Sequence, residues 1–181
     1  SIQVHPGDEL ARRRHGSLGK SEMWYVIEAE PGAQIISGLS APLTPQDYRK
    51  RVEEGSFTEV LKYHDAHPGD VFYLPAGRIH AIGGGVFLAE IQEASDVTYR
   101  IFDYNRLDRD GHPRRLHTDW AEEAIDYRAF PDYRTRYRAR GNEPVELLST
   151  PHFGVTLYDL DRPLDRDYSE RDSFVILLCT E

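Results

Sequence analysis

Cysteine is almost absent from this chain: of 181 residues, only Cys179 carries a thiol. An internal disulfide is therefore impossible, and so is a zinc finger built on paired cysteines. The expected location is a reducing cytoplasm, where any metal must be held by histidine, carboxylate and neutral oxygen donors. Basic side chains are scarce relative to acidic ones, 22 against 31, for a formal charge of −9. Such a field repels a polyanionic backbone and disfavours nucleic acid as a partner. It still permits a small anionic substrate, because a pocket needs only a few local cations, and Lys20 and Arg100 are candidates. Also missing is any apolar run approaching the roughly 20 residues that span a bilayer, so no membrane role is expected.

What is present, above all, is strand sequence. Short apolar and β-branched runs, broken by Gly and Pro, cover Ser1–His5, Glu22–Glu28, Ala33–Ser37, Val71–Leu74, Arg78–Ile82, Val86–Gln92 and Thr98–Tyr104. Several short strands at close spacing predict a sandwich or barrel. The period changes after Thr44, a predicted N-cap followed by Pro45 at the first helical position, which predicts a helix to about Glu54 and a second short helix near Phe57. Arg12–Lys20 reads as a loop or short helix, and Asp119–Tyr127 as a helix. The Arg- and Tyr-rich stretch 128–142 reads as an irregular, solvated linker, followed by strands at Val145–Leu148, Phe153–Leu160 and Phe174–Cys179. The chain opens inside a strand and stops on an apolar run, so truncation at both ends is expected.

The candidate chemistry lies in the strands. Side chains alternate across a strand, so Gln3 and His5 face one side. Glu22 shares a face with Trp24 and Val26, and a carboxylate among such neighbours is costly unless paired or metal-bound. In Gly69-Asp-Val-Phe-Tyr-Leu-Pro75-Ala-Gly77-Arg-Ile-His80, Gly69 and Asp70 turn into a strand, Pro75 and Gly77 make a corner, and His80 emerges on the next strand. Imidazole and carboxylate donors suit Zn²⁺, Mn²⁺, Fe²⁺ or Co²⁺. The other histidines, His15, His64, His67, His112, His117 and His152, lie near turns and are expected at the surface.

The spacing from Gly69 to His80 resembles the second motif of the cupins, although Gly84 stands where an asparagine is usual. Four blocks taken together, Ser1-Ile-Gln-Val-His-Pro6, Gly19-Lys-Ser-Glu-Met-Trp-Tyr25, Ala76-Gly-Arg-Ile-His-Ala-Ile82 and Glu90-Ile-Gln-Glu-Ala-Ser-Asp-Val-Thr-Tyr-Arg100, resemble the class I mannose-6-phosphate isomerases in their short bacterial form. The resemblance spans about Ser1–Tyr127. It implies a mainly β fold, a cupin (jelly-roll-like) β-barrel with a small helical insertion. It also implies one Zn²⁺ held by Gln3, His5, Glu22 and His80, with Arg100 as a catalytic residue and Lys20 and Ser1 contacting a sugar phosphate.

The implied reaction interconverts mannose 6-phosphate and fructose 6-phosphate through a cis-enediol. Arg100 is a permanent cation, suited to stabilising an enediolate rather than to proton transfer. The base expected is Glu90, ten residues before Arg100, with Asp96 and a metal-bound hydroxide as the alternatives. Residues 1–127 are thus read as a metal-binding cupin core with a helical insertion at about 44–63, and 128–181 as a linker and the start of a C-terminal β region. A non-catalytic sugar-binding cupin is the competing reading, followed by an iron-dependent cupin dioxygenase, for which more histidine ligands are usual.

Overall fold

Alternation of apolar and polar residues sorts the first strands between two layers. A computed structural model describes residues 1–180. Strands β1 (Ile2–Val4), β3 (Gln34–Leu39), β4 (Leu61–Asp65), β6 (His80–Ile82) and β8 (Tyr99–Phe102) form a five-stranded sheet in the order β4-β3-β6-β1-β8. Strands β2 (Glu22–Ala29), β5 (Val71–Leu74) and β7 (Val86–Gln92) form a three-stranded sheet in the order β5-β2-β7. The two sheets face each other across a core of Trp24, Val26, Ile35, Phe72 and Leu74. The fold is mainly β, the two-layered arrangement expected of a jelly-roll barrel.

The outer face of the larger sheet is covered by helices. Ile2, Val4, Ile36, Ala81, Tyr99 and Ile101 pack there with Tyr48, Phe57, Ala121 and Ile125. Helix α2 (Pro45–Glu53) forms as its sequence predicts: Thr44 Oγ1 accepts from Asp47 N–H while the Asp47 carboxylate accepts from Thr44 N–H, closing a capping box. A 3₁₀ turn at Phe57–Val60 follows, and Leu61 already belongs to β4. Helix α3 (Thr118–Ala124) supplies the rest of the cover.

One helix lies further upstream than expected: α1 spans Asp8–His15 rather than starting near Arg12. Its buried side is a single residue, Ala11, so no apolar period marks it. It begins with Asp8 and Glu9 and ends on Arg12, Arg13, Arg14 and His15, charges that suit the helix dipole. Arg13 and Arg14 bridge to Glu123 of α3.

Chain contacts divide the protein into two compact units, Ser1–Thr135 and Arg136 onward. In the second, β9 (Pro144–Ser149) and β10 (Gly154–Tyr158) pair antiparallel. The strand expected at Phe174–Cys179 does not form: these residues have no regular structure, and Phe174, Ile176, Leu177 and Cys179 are exposed. Apolar, β-branched sequence makes a strand only where a partner takes its backbone hydrogen bonds, and among the described residues none does. Among the described residues no helix is long and apolar enough to cross a membrane.

Candidate metal centre

Register brings the predicted residues together. Gln3 lies opposite His80 on one side and Arg100 on the other, and His80 lies opposite Ser37. Opposed residues of antiparallel strands share a face. Ser37, His80, Gln3 and Arg100 therefore form a row across the inner face, while Ile2 and Val4 point outward into the helix-covered core. Glu22 projects toward this row from the opposing sheet, fully buried beside Trp24.

Gly77 sets the corner that delivers His80. Its φ of +88° is left-handed, and an added Cβ would stand 2.9 Å from the Ala124 carbonyl. Its N–H donates to the His5 carbonyl at 2.8 Å and its carbonyl accepts from Asp126 N–H at 2.8 Å, which ties the corner to β1 and to the end of α3.

Three side chains, His5, Glu22 and His80, form a buried group that could hold a metal ion, their ligand atoms all within 4.8 Å of one another. The imidazole tautomers follow from their outer partners. His5 Nδ1–H donates to the Val97 carbonyl at 2.9 Å and His80 Nδ1–H to the Arg78 carbonyl at 2.8 Å. Each Nε2 is then a lone pair turned toward Glu22, at 2.6 Å for His5 and 3.4 Å for His80. The first contact is close without being a hydrogen bond: His5 Nε2 and both Glu22 oxygens are buried without a partner. Burial lowers the His5 pKa and keeps the ring neutral. Lone pairs converging on a buried anion repel it unless a cation lies between them, and imidazoles held from behind by carbonyls are the usual supports of metal ligands. The residues present therefore fit a divalent metal.

Gln3 stands beside this group in a different state. Its amide Nε2 lies 3.3 Å from His80 Nε2, and its Oε1 accepts from Ser1 Oγ at 3.0 Å. Ligation by Gln3 requires the opposite amide orientation, with the oxygen turned to the group and Ser1 Oγ accepting. Ser1 is thereby placed as a support of Gln3. Lys20 is buried, with Nζ 3.6 Å from Glu22 Oε1.

Glu90 is exposed on β7, opposite Trp24, whose Nε1–H donates to Glu90 Oε2 at 2.9 Å. Desolvation of the carboxyl and the nearby Glu22 raise its pKa. Arg100 donates from Nη1 to the Arg115 carbonyl at 2.9 Å, and its Nε is buried without a partner. Arg100 makes no direct bridge to Asp103, which is taken by Arg106, Arg114 and the Ser1 amine.

Three contributions escaped the sequence. Ser37 Oγ is buried without a partner one strand from His80, a position that only strand pairing reveals. His64, expected at the surface, is buried with Nε2 3.3 Å from the Ser37 carbonyl and its ring against Phe72 and Tyr133. His117, also expected at the surface, is half-buried against Trp120 and bonded to Arg100.

No family model matches the chain. The mannose-6-phosphate isomerase ManA of Bacillus subtilis is 37% identical over 163 residues, 88% of this chain and 51% of the relative. The mannose-6-phosphate isomerase of Streptococcus mutans is 38% identical over 86% of this chain and 49% of the relative. The crystal structure of a mannose 6-phosphate isomerase from Bacillus subtilis superposes with a TM-score of 0.77 at 33% identity, covering 86% of this chain and 50% of that one. The chain thus spans about half the length of the curated relatives it matches. Over that span its sequence is similar to those of mannose-6-phosphate isomerases and its fold to that of a solved one.

Proposed function

We propose that this chain carries the metal-binding core of an aldose–ketose isomerase that interconverts mannose 6-phosphate and fructose 6-phosphate. The observation that carries this reading is the convergence of His5 Nε2, His80 Nε2 and a buried Glu22 carboxylate without a hydrogen-bond partner in a chain similar to mannose-6-phosphate isomerases. The metal is proposed to be Zn²⁺, for which two imidazoles, one carboxylate and a neutral amide oxygen are a suitable set. His5, Glu22 and His80 would hold it, with Gln3 as the fourth donor once its amide is turned. When bound, it would supply Lewis acidity toward a sugar oxygen that gains negative charge.

The remaining chemistry falls to the chain's own side chains. Moving a proton between C1 and C2 through a cis-enediol needs a base of raised pKa, and Glu90 has one. Its bond from Trp24 Nε1–H fixes one carboxylate oxygen and leaves the other for the proton. Arg100 presents an unpartnered Nε–H beside Gln3 and would hold the enediolate electrostatically. Lys20 and Ser1, flanking Glu22 and Gln3, would meet the substrate or its phosphate. A small sugar phosphate is thus the partner, and the single cysteine favours a cytoplasmic setting.

The test is a coupled assay with mannose 6-phosphate on the full-length protein. Turnover should vanish with a strong chelator and return with Zn²⁺, and Arg100→Ala should lower kcat by about a hundredfold or more at unchanged metal content. Chelator-resistant turnover, or full turnover by Arg100→Ala, contradicts the proposal.

A further inference from the structure

Strand β8 ends the five-stranded sheet, so one of its edges faces no strand. At Arg100 that edge is closed by His117. Arg100 N–H donates to His117 Nδ1 at 3.2 Å, and the Arg100 carbonyl accepts from His117 N–H at 2.7 Å. From the same segment, the Arg115 carbonyl accepts from Arg100 Nη1 at 2.9 Å. Because both backbone groups of Arg100 turn outward to His117, its pairing with Gln3 is of the non-hydrogen-bonded kind, in which opposed side chains come closest. The outer contact thereby fixes the inner one.

The His117 ring is itself held. It stacks on Trp120, with centroids 5.5 Å apart and planes 16° apart, while Arg115 lies over the Trp120 ring at 5.5 Å. Burial and the nearby Arg100, Arg115 and His15 lower its pKa, which keeps Nδ1 an acceptor. We propose that His117 is a positioning residue for Arg100, clamping the strand edge so that the guanidinium is aimed along the Gln3–His80 row. The proposal rests on the isomerase reading for its consequence in turnover, but not for the clamp.

Two substitutions separate acceptor from bulk. His117→Leu fills much of the ring's volume without an acceptor, whereas His117→Asn returns an oxygen near the position of Nδ1. Amide exchange at Arg100, metal content, kcat and KM are measured for both on the full-length protein. His117→Leu should speed Arg100 amide exchange and lower kcat by about ten- to a hundredfold with KM and metal content little changed, as expected of a misaimed group. His117→Asn should restore most of both, and His117→Leu added to Arg100→Ala should cost nothing further. Unchanged exchange in His117→Leu overturns the clamp, as does His117→Asn failing as far as His117→Leu. Faster exchange with unaltered kcat overturns the role in positioning. If the wild-type protein does not turn over mannose 6-phosphate, the isomerase reading fails and the exchange measurement alone decides the clamp.

Discussion

Replacing Glu22 by Gln should stabilise the metal-free protein while abolishing its response to metal. In the metal-free protein the Glu22 carboxylate is fully buried, 2.6 Å from an imidazole lone pair, and neither atom has a hydrogen-bond partner; Lys20 Nζ stands 3.6 Å from Glu22 Oε1, outside hydrogen-bond reach. A glutamine amide of the same shape can donate to His5 Nε2. Each buried polar group left unsatisfied costs about 1–3 kcal/mol, so satisfying this pair should return about that much. For a chain of this size, 1 kcal/mol moves Tm by about 2–4 °C, which sets an expected rise of roughly 2–12 °C. The assay is thermal unfolding at pH 8, where His5 is neutral, with chelator and then with excess Zn²⁺. Wild type should gain about 3–4 kcal/mol from Zn²⁺ at a hundred to a thousand times its dissociation constant, and Glu22→Gln far less. A metal-free Glu22→Gln protein less stable than metal-free wild type would refute the reasoning, because it would mean that the charge of Lys20, 3.6 Å away, already satisfies Glu22 without a metal.

Two further outcomes follow from the scaffold. Tyr133 Oη donates to the Leu39 carbonyl at 2.9 Å and accepts from Leu39 N–H and Phe130 N–H at 3.1 Å, so Tyr133→Phe should cost about 2–4 kcal/mol in urea unfolding; a loss under 0.5 kcal/mol contradicts that role. Burial pushes the buried Asp103 carboxyl up, but Arg106 and Arg114 outweigh it and hold its folded pKa below the usual value. Its stabilisation is therefore present above the unfolded pKa near ~4 and lost as pH falls through the lower folded value, so Asp103→Asn should flatten the acid side of a stability–pH curve, and an unchanged acid limb would contradict this.

Sequence placed the candidate site's residues better than their surroundings. Period-two alternation placed Gln3 and His5 inward with Ile2 and Val4 outward, and the Gly69–His80 spacing delivered His80, because both signals are local. The Thr44 cap and the bounds of β7 were legible for the same reason. Helix α1 was not, since its stability comes from terminal charges and from Glu123, more than a hundred residues away in sequence. His64, Ser37 and His117 owe their burial to pairings between distant strands and loops, which no window of sequence contains. Tyr133 lies in a stretch rich in Arg and reads as solvated. Its hydroxyl nonetheless stitches β3, and its ring fills the space above Gly38, where an added Cβ would stand 2.2 Å away. At Phe174–Cys179 the error ran the other way, with strand propensity but no partner.

The central claim is that His5, Glu22 and His80 are metal ligands. Its most direct test is metal content after exhaustive dialysis, for wild type and for His80→Ala and His5→Ala. Wild type should retain about one equivalent of Zn²⁺ per chain and each variant a small fraction of that, with the β fold intact by circular dichroism. A folded wild type that retains no metal, or variants that keep the full equivalent, would contradict the account.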